Sequence, residues 1–258
     1  MGGYRGMKTN KLIGGCVMVL FLFGPTFAVS TVTITPGENP GDPGYGFLGG
    51  GGEMWTHVLT GSLGIYGPGD SFATFCVEIE EPINFADPPL YTSPVFDAVV
   101  NPLGAVQGGL GGSPDPISDH TAWLYLQFVT DNLGPYEYDG TVNGGANRTA
   151  SAKALQWIFW GLEYELDPVK NPGEYYTAGQ NGQLGGLQQV FFDLADTAVT
   201  GGWQNNGRVQ AVNITDTDVY GSLVHMQDIL VMVPAPGAIG LALFGIGLFG
   251  YLKRRRSL

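Results

Sequence analysis

Charge is scarce in this chain of 258 residues, at 13%, and positive charge is almost missing from its middle. All 23 acidic residues lie between Glu38 and Asp228, a span that holds only Arg148, Lys153, Lys170 and Arg208, so its formal charge is −19. A surface of that sign repels phosphate backbones and excludes nucleic acid as a partner. It suits solubility outside the cell; scattered calcium sites, for instance near Asp216 and Asp218, are the other use of such acidity. Cysteine is equally sparse, with Cys16 and Cys76 alone. GxxxxGK[ST], His-Glu-x-x-His and Cys-x-x-Cys are all absent, so nucleotide, zinc-protease and zinc-ribbon or iron–sulfur readings have no support, and no cofactor or metal is expected. The runs Gly49–Gly52 and Gly108–Gly112 lack the lysine and helix of a phosphate cradle and read as loops.

Glycine (42) and proline (17) are plentiful, while 44% hydrophobic content argues against wholesale disorder. A loop-rich globular body is expected. Thr31–Thr35 alternates as a strand; Trp55–Tyr66 and Ser71–Glu80 read as strands separated by the turn Gly67–Asp70. Pro82–Pro116 is turn-rich and no element is assigned there. Ser118 can cap a helix running to about Asn132. In Ala150–Leu166 the apolar residues Leu155, Ile158, Phe159, Leu162 and Leu166 keep helical spacing, and Pro168 ends the pattern. Leu184–Val199 reads as a third helix, and Arg208–Ile214 and Asp228–Val233 as closing strands. Strands with helices inserted between them imply an α+β fold on an antiparallel β core.

Both ends carry signals. Arg5, Lys8 and Lys11 precede the apolar run Leu12–Phe23, and Thr26-Phe-Ala28 offers small residues before a cleavage point, so residues 1–28 read as a signal peptide and Cys16 is discarded with it. Met7 is an alternative start. At the other end Gly237–Leu252 is 16 uncharged residues, about 24 Å of helix, which reads as a single membrane-spanning segment, barely long enough to cross unless Ile229–Val233 help. Lys253, Arg254, Arg255 and Arg256 follow and would stay cytoplasmic.

A plain anchor leaves Pro234-Ala235-Pro236 unexplained. With the apolar helix and the basic cluster in this order, residues 234–258 resemble the PEP-CTERM sorting tail of Gram-negative bacteria, with Ala235 where that family has glutamate. The resemblance implies recognition by a membrane-embedded exosortase, transient anchoring in the inner membrane, and delivery to the cell surface or the extracellular matrix.

Once Cys16 is removed, Cys76 is a lone thiol in an exported protein, with no intramolecular disulfide partner. In the expected strand Ser71–Glu80, Ala73, Phe75, Val77 and Ile79 form the apolar phase, and Cys76 shares the other phase with Thr74, Glu78 and Glu80. That places Cys76 off the obvious core face. Thr74-Phe-Cys-Val-Glu78, Ala122-Trp-Leu-Tyr-Leu-Gln-Phe128 and Ala154-Leu-Gln-Trp-Ile-Phe-Trp160 together resemble the thioester domains of bacterial surface adhesins, over residues 29–233 in order of elements. The resemblance implies Cys76 as the thiol and Gln156 as the acyl donor of an internal thioester, shielded by Trp160 and Trp157. It implies covalent attachment to amine or hydroxyl groups of surface or matrix polymers or proteins in a single turnover, and not an enzyme with a catalytic site. Neither Cys76 nor Gln156 lies in the main apolar stripes, so alanine at either is expected to leave the fold intact. A non-reactive binding module with the same tail is the alternative. A cysteine-dependent hydrolase, with His57, His120 or His225 as base, is the third reading.

Overall fold

The computed structural model describes residues 29–36, 52–78, 95–106, 114–163, 186–217 and 220–234. The terminal signal, the apolar segment Gly237–Leu252 and the basic cluster Lys253–Arg256 lie outside them. Among the described residues no helix is long and apolar enough to cross a membrane.

Among the described residues seven strands form one antiparallel sheet, joined by three α-helices: β1 (Ser30–Thr35), β2 (Met54–Thr60), β3 (Ser71–Thr74), β4 (Val95–Asn101), α1 (Asp119–Val129), α2 (Ala146–Leu162), α3 (Leu187–Thr200), β5 (Val209–Thr217), β6 (Leu223–His225) and β7 (Ile229–Met232). This is the α+β mixture expected. The strand order is β3-β2-β1-β4-β5-β6, and β7 pairs with the first half of β5.

The sheet closes on itself. Just past β3, Cys76 stands opposite Ile229 of β7, with Leu230 N–H donating to the Phe75 carbonyl (3.2 Å) and Val77 N–H to the Asp228 carbonyl (2.9 Å). The Thr74 hydroxyl adds a bond to the Leu230 carbonyl at 2.7 Å. The strand at one end of the order thereby meets β7, which is held by β5 near the other end. At the same rim the turn after β2 presses on the end of β7. Gly64 has φ +60°, and any Cβ there would sit 2.1 Å from the Met232 carbonyl oxygen. Only glycine fits.

Alternation along the strands then sorts two cores. Val32, Ile34, Met54, Val58, Phe72, Phe96, Ala98, Val212, Ile214, Ile229 and Val231 face inward and pack with Cys76 and Trp160. Phe75, Val77, Val209, Ala211 and Leu230 face the helices and pack against Leu124, Tyr125 and Phe128 of α1, Leu155, Ile158 and Phe159 of α2, and Phe191 of α3. Phe75 lies at the centre of the second cluster, edge-on to Phe128 and Phe159 with ring centres 5.0 and 5.3 Å away.

Three expected boundaries are corrected. The strand Ser71–Glu80 is regular only to Thr74, because β2 begins at Met54, opposite Thr74, and offers no further partner. The helix expected over Ala150–Leu166 begins earlier, at Ala146, and its described part ends at Leu162. The turn-rich stretch left unassigned contains β4, which joins β1 to β5 and so completes the sheet. The strand expected over Trp55–Tyr66 also ends early, at Thr60, and the chain turns where Leu63 and Tyr66 bond each other; the remaining elements agree with the sequence reading to within a few residues, and the β6 strand is additional.

Helices α1 and α2 are tied by a buried carboxyl. Ser118 caps α1, its hydroxyl accepting from Thr121 N–H at 3.2 Å. The same hydroxyl donates at 2.7 Å to Glu163, which follows α2 and is 2% exposed. Burial pushes the Glu163 carboxyl up to about 7, with the hydrogen bonds from Ser118 opposing the rise. A carboxyl whose folded value lies above its ordinary value binds more protons folded than unfolded, so stability falls as pH rises between them. Urea unfolding should therefore show a loss on the order of 3 kcal/mol between about pH 4.5 and pH 7, from this group alone. Glu163→Gln should flatten that part of the profile, whereas an unchanged slope would refute the assignment.

Candidate functional site

Beyond Thr74 the chain leaves β2 behind, and this creates a problem for Cys76. Its opposition to Ile229 is of the kind in which the flanking residues carry the hydrogen bonds, so Cys76 N–H and carbonyl point away from β7. Buried backbone groups without partners cost free energy. Helix α2 supplies both partners from one side chain: Gln156 Oε1 accepts from Cys76 N–H at 3.0 Å, and Gln156 Nε2 donates to the Cys76 carbonyl at 2.8 Å. The carboxamide thus stands in for a strand. Gln156 is fully buried and Cys76 is 3% exposed.

The expected placement of Cys76 off the core face is thereby corrected. The sheet is covered on both faces, by helices on one and by its own closure on the other, so both phases of this segment are buried. The Cys76 thiol is free and points into the inner core, 3.8 Å from the Met54 thioether. The contact between Gln156 and Cys76 runs through the cysteine's backbone.

Trp160, one turn beyond Gln156, is buried in the same inner cluster, and Trp157 is partly buried against it. Their rings meet edge-on at 5.3 Å. Both expected shielding residues are therefore on the Cys76 side of α2.

Burial pushes the Cys76 thiol up to about 12. The side chain of Gln227, next to β7, favours the thiolate and pulls in the opposite direction, and Glu78 adds to the rise. Glu78 shares the strand phase expected for Cys76, whereas Gln227 was missed in the sequence because no local pattern marks it. Only the closure of the sheet brings Gln227 to the sulfur.

The three histidines are elsewhere. His57 bonds Ser71 (2.7 Å) and Thr35 (3.0 Å), His120 faces Asp196 at 3.5 Å, and His225 is exposed in β6. None of these hydrogen bonds reaches Cys76, so no Cys–His pair is assembled. Among the described residues no group of three or more His, Cys, Asp or Glu side chains could hold a metal ion. Asp218 of the acidic pair near β5 lies outside them. A separate buried cluster joins Glu53, fully buried, to Arg148 (Nε at 3.0 Å) and the Tyr136 hydroxyl (2.7 Å), and anchors the start of α2 to the sheet.

A family model described as the PEP-CTERM protein-sorting motif matches residues 233–257. The chain carries this motif, which points to an exported protein sorted by exosortase, a membrane protein, and is consistent with transient anchoring followed by release. The match lies in the tail and leaves the body untouched. No curated protein and no solved structure matches the chain.

The burial of Gln156 also corrects the expectation that it is dispensable for folding. Removing its carboxamide strands two buried backbone groups at Cys76. Gln156→Ala should lower stability by about 2–4 kcal/mol in urea unfolding. A variant as stable as the parent would mean that these two bonds contribute nothing net.

Proposed function

We propose that the body is a covalent attachment module, exported and sorted by its tail, in which Cys76 and Gln156 condense to an internal thioester that later acylates a surface or matrix target. One observation supports this above others: the Gln156 carboxamide is held in a buried site by the backbone of the residue that carries the lone thiol. The Cys76 N–H aimed at Oε1 polarises the amide carbonyl and would stabilise the oxyanion of a tetrahedral intermediate. Sulfur attack on the carboxamide carbon forms the S–C bond and breaks the C–N bond. The thiol proton leaves with the nitrogen as ammonia, so atoms and charge balance.

The product suits the task. A thioester is a far better acyl donor than a carboxamide, because a thiolate leaves more readily than an amide ion. Attack by a target amine gives an amide and regenerates the thiol, while attack by a hydroxyl gives an ester. Either link withstands load, and each chain reacts once instead of turning over. Trp160 and Trp157 limit access of water to the bond. The attachment target is a surface or matrix polymer or protein with accessible amines or hydroxyls.

The purified body should weigh one ammonia less than its sequence and gain the mass of methylamine on incubation with it. Cys76→Ala and Gln156→Ala should each abolish both effects in folded protein. Full mass, a thiol alkylated on unfolding and no amine adduct would instead select a non-reactive surface module, because the two hydrogen bonds at Cys76 can also serve purely to cap the open end of the sheet.

The tail has its own test. Replacing Lys253, Arg254, Arg255 and Arg256 with glutamine removes the charge that holds the end cytoplasmic, and should reduce membrane retention and processing in cell fractions. Unchanged processing would argue against a sorting role for the basic cluster.

A further inference from the structure

Gln227 is placed by the closure of the sheet. It precedes Asp228, whose carbonyl accepts from Val77 N–H, so the backbone on either side of Cys76 and that around Gln227 are locked together. It stands two positions before Ile229, which is opposite Cys76, and so falls on the same face of the pairing as the cysteine; the residue is 6% exposed. In that position it favours the anionic form of the Cys76 sulfur. Its Nε2 is nonetheless buried with no hydrogen-bond partner among the described residues.

A buried amide donor without an acceptor is costly, and such a group calls for an explanation. The chemistry of sulfur supplies one. A neutral thiol is a weak acceptor, whereas a thiolate is a strong one. A donor set beside Cys76 gains little while the sulfur is protonated or acylated, and gains most as negative charge develops there. That is stabilisation of a transition state and not of a ground state.

We infer that Gln227 is a catalytic residue of the thioester chemistry, its Nε2 donating to the Cys76 sulfur as that atom loses its proton to attack Gln156 and again as it leaves when an amine attacks the thioester. The inference rests on the thioester reading of Cys76 and Gln156. Charge is then handled at two points: Cys76 N–H holds the carbonyl oxygen, and Gln227 holds the sulfur. In formation the proton released from sulfur departs with ammonia. In opening, the attacking amine loses a proton, the S–C bond breaks, and the sulfur finally recovers a proton as thiol.

The test uses the full mature body and methylamine. Wild type, Gln227→Met, which keeps length without a donor, and Gln227→Glu, which keeps shape but presents an acceptor, are followed by intact mass, with circular dichroism to establish that each is folded. Gln227→Met should open about 10- to 100-fold more slowly than wild type at equal amine concentration, or emerge folded but at full mass because formation has failed. In Gln227→Glu the opening rate should fall further as pH rises through the range where the new carboxyl ionises, a profile that a purely structural role would not produce. Wild-type chains lighter by one ammonia, with folded Gln227→Met opening at the wild-type rate and Gln227→Glu lacking the pH dependence, would overturn the inference and leave the thioester reading standing. Wild-type chains of full mass that take up no methylamine would overturn both.

Discussion

The three residues from Phe75 to Val77 hold the structure together. Their hydrogen bonds to Asp228 and Leu230 join the strand at one end of the sheet to β7 and close the sheet around an inner core. Alternation along so short a segment then divides its side chains: Phe75 and Val77 enter the layer beneath the helices, and Cys76 enters the interior. One closure therefore sets the register of both cores and the environment of the thiol.

The same closure dictates what α2 must do. Because Cys76 spends its position opposite Ile229 without hydrogen-bonding to it, and β2 has already ended, its peptide groups can be satisfied only from the helix side. A glutamine meets that need with one acceptor and one donor on a single planar group. A leucine there would fill the space and leave two buried polar groups stranded, at a cost of about 1–3 kcal/mol each. The anchor of the helix to the sheet and the juxtaposition of amide and thiol are thus one feature.

Some of this was legible in the sequence for physical reasons. The apolar repeat through Leu155, Ile158 and Phe159 marks α2 because a helix covering a sheet needs one continuous stripe, and Ser118 marks the start of α1 because its hydroxyl must meet an orphan N–H. The strand β4 was illegible: Val95–Asn101 has polar and apolar residues in an order that pairing with β1 and β5 imposes, inside a stretch whose prolines and glycines suggest turns. The Cys76–Gln156 pair was readable as residue types on a strand and a helix. Their burial was not, since a two-phase reading assumes that one face of a strand meets water, and a closed sheet under helices has no such face. Gln227 had no signal at all, because its proximity to Cys76 exists only after closure.

Burial has opposite effects on the Cys76 thiol and on the Gln156 carboxamide. Excluding water raises the thiol to about 12 and so protects Cys76 from external oxidants and alkylating agents, which require the thiolate. The same exclusion strengthens the bond from Cys76 N–H to the Gln156 oxygen, since no solvent dipole competes for either group. A buried thiol is a poor nucleophile toward anything that must diffuse to it; under the proposed thioester chemistry its partner is a desolvated carboxamide already held by the backbone of the same residue, so no diffusional encounter is required. Under that proposal, selectivity for the internal partner over external ones follows from position and not from a high intrinsic reactivity of the sulfur. Such burial can keep the thiol inert during export through an oxidising compartment, and the proposed chemistry would then commit it to one intramolecular reaction.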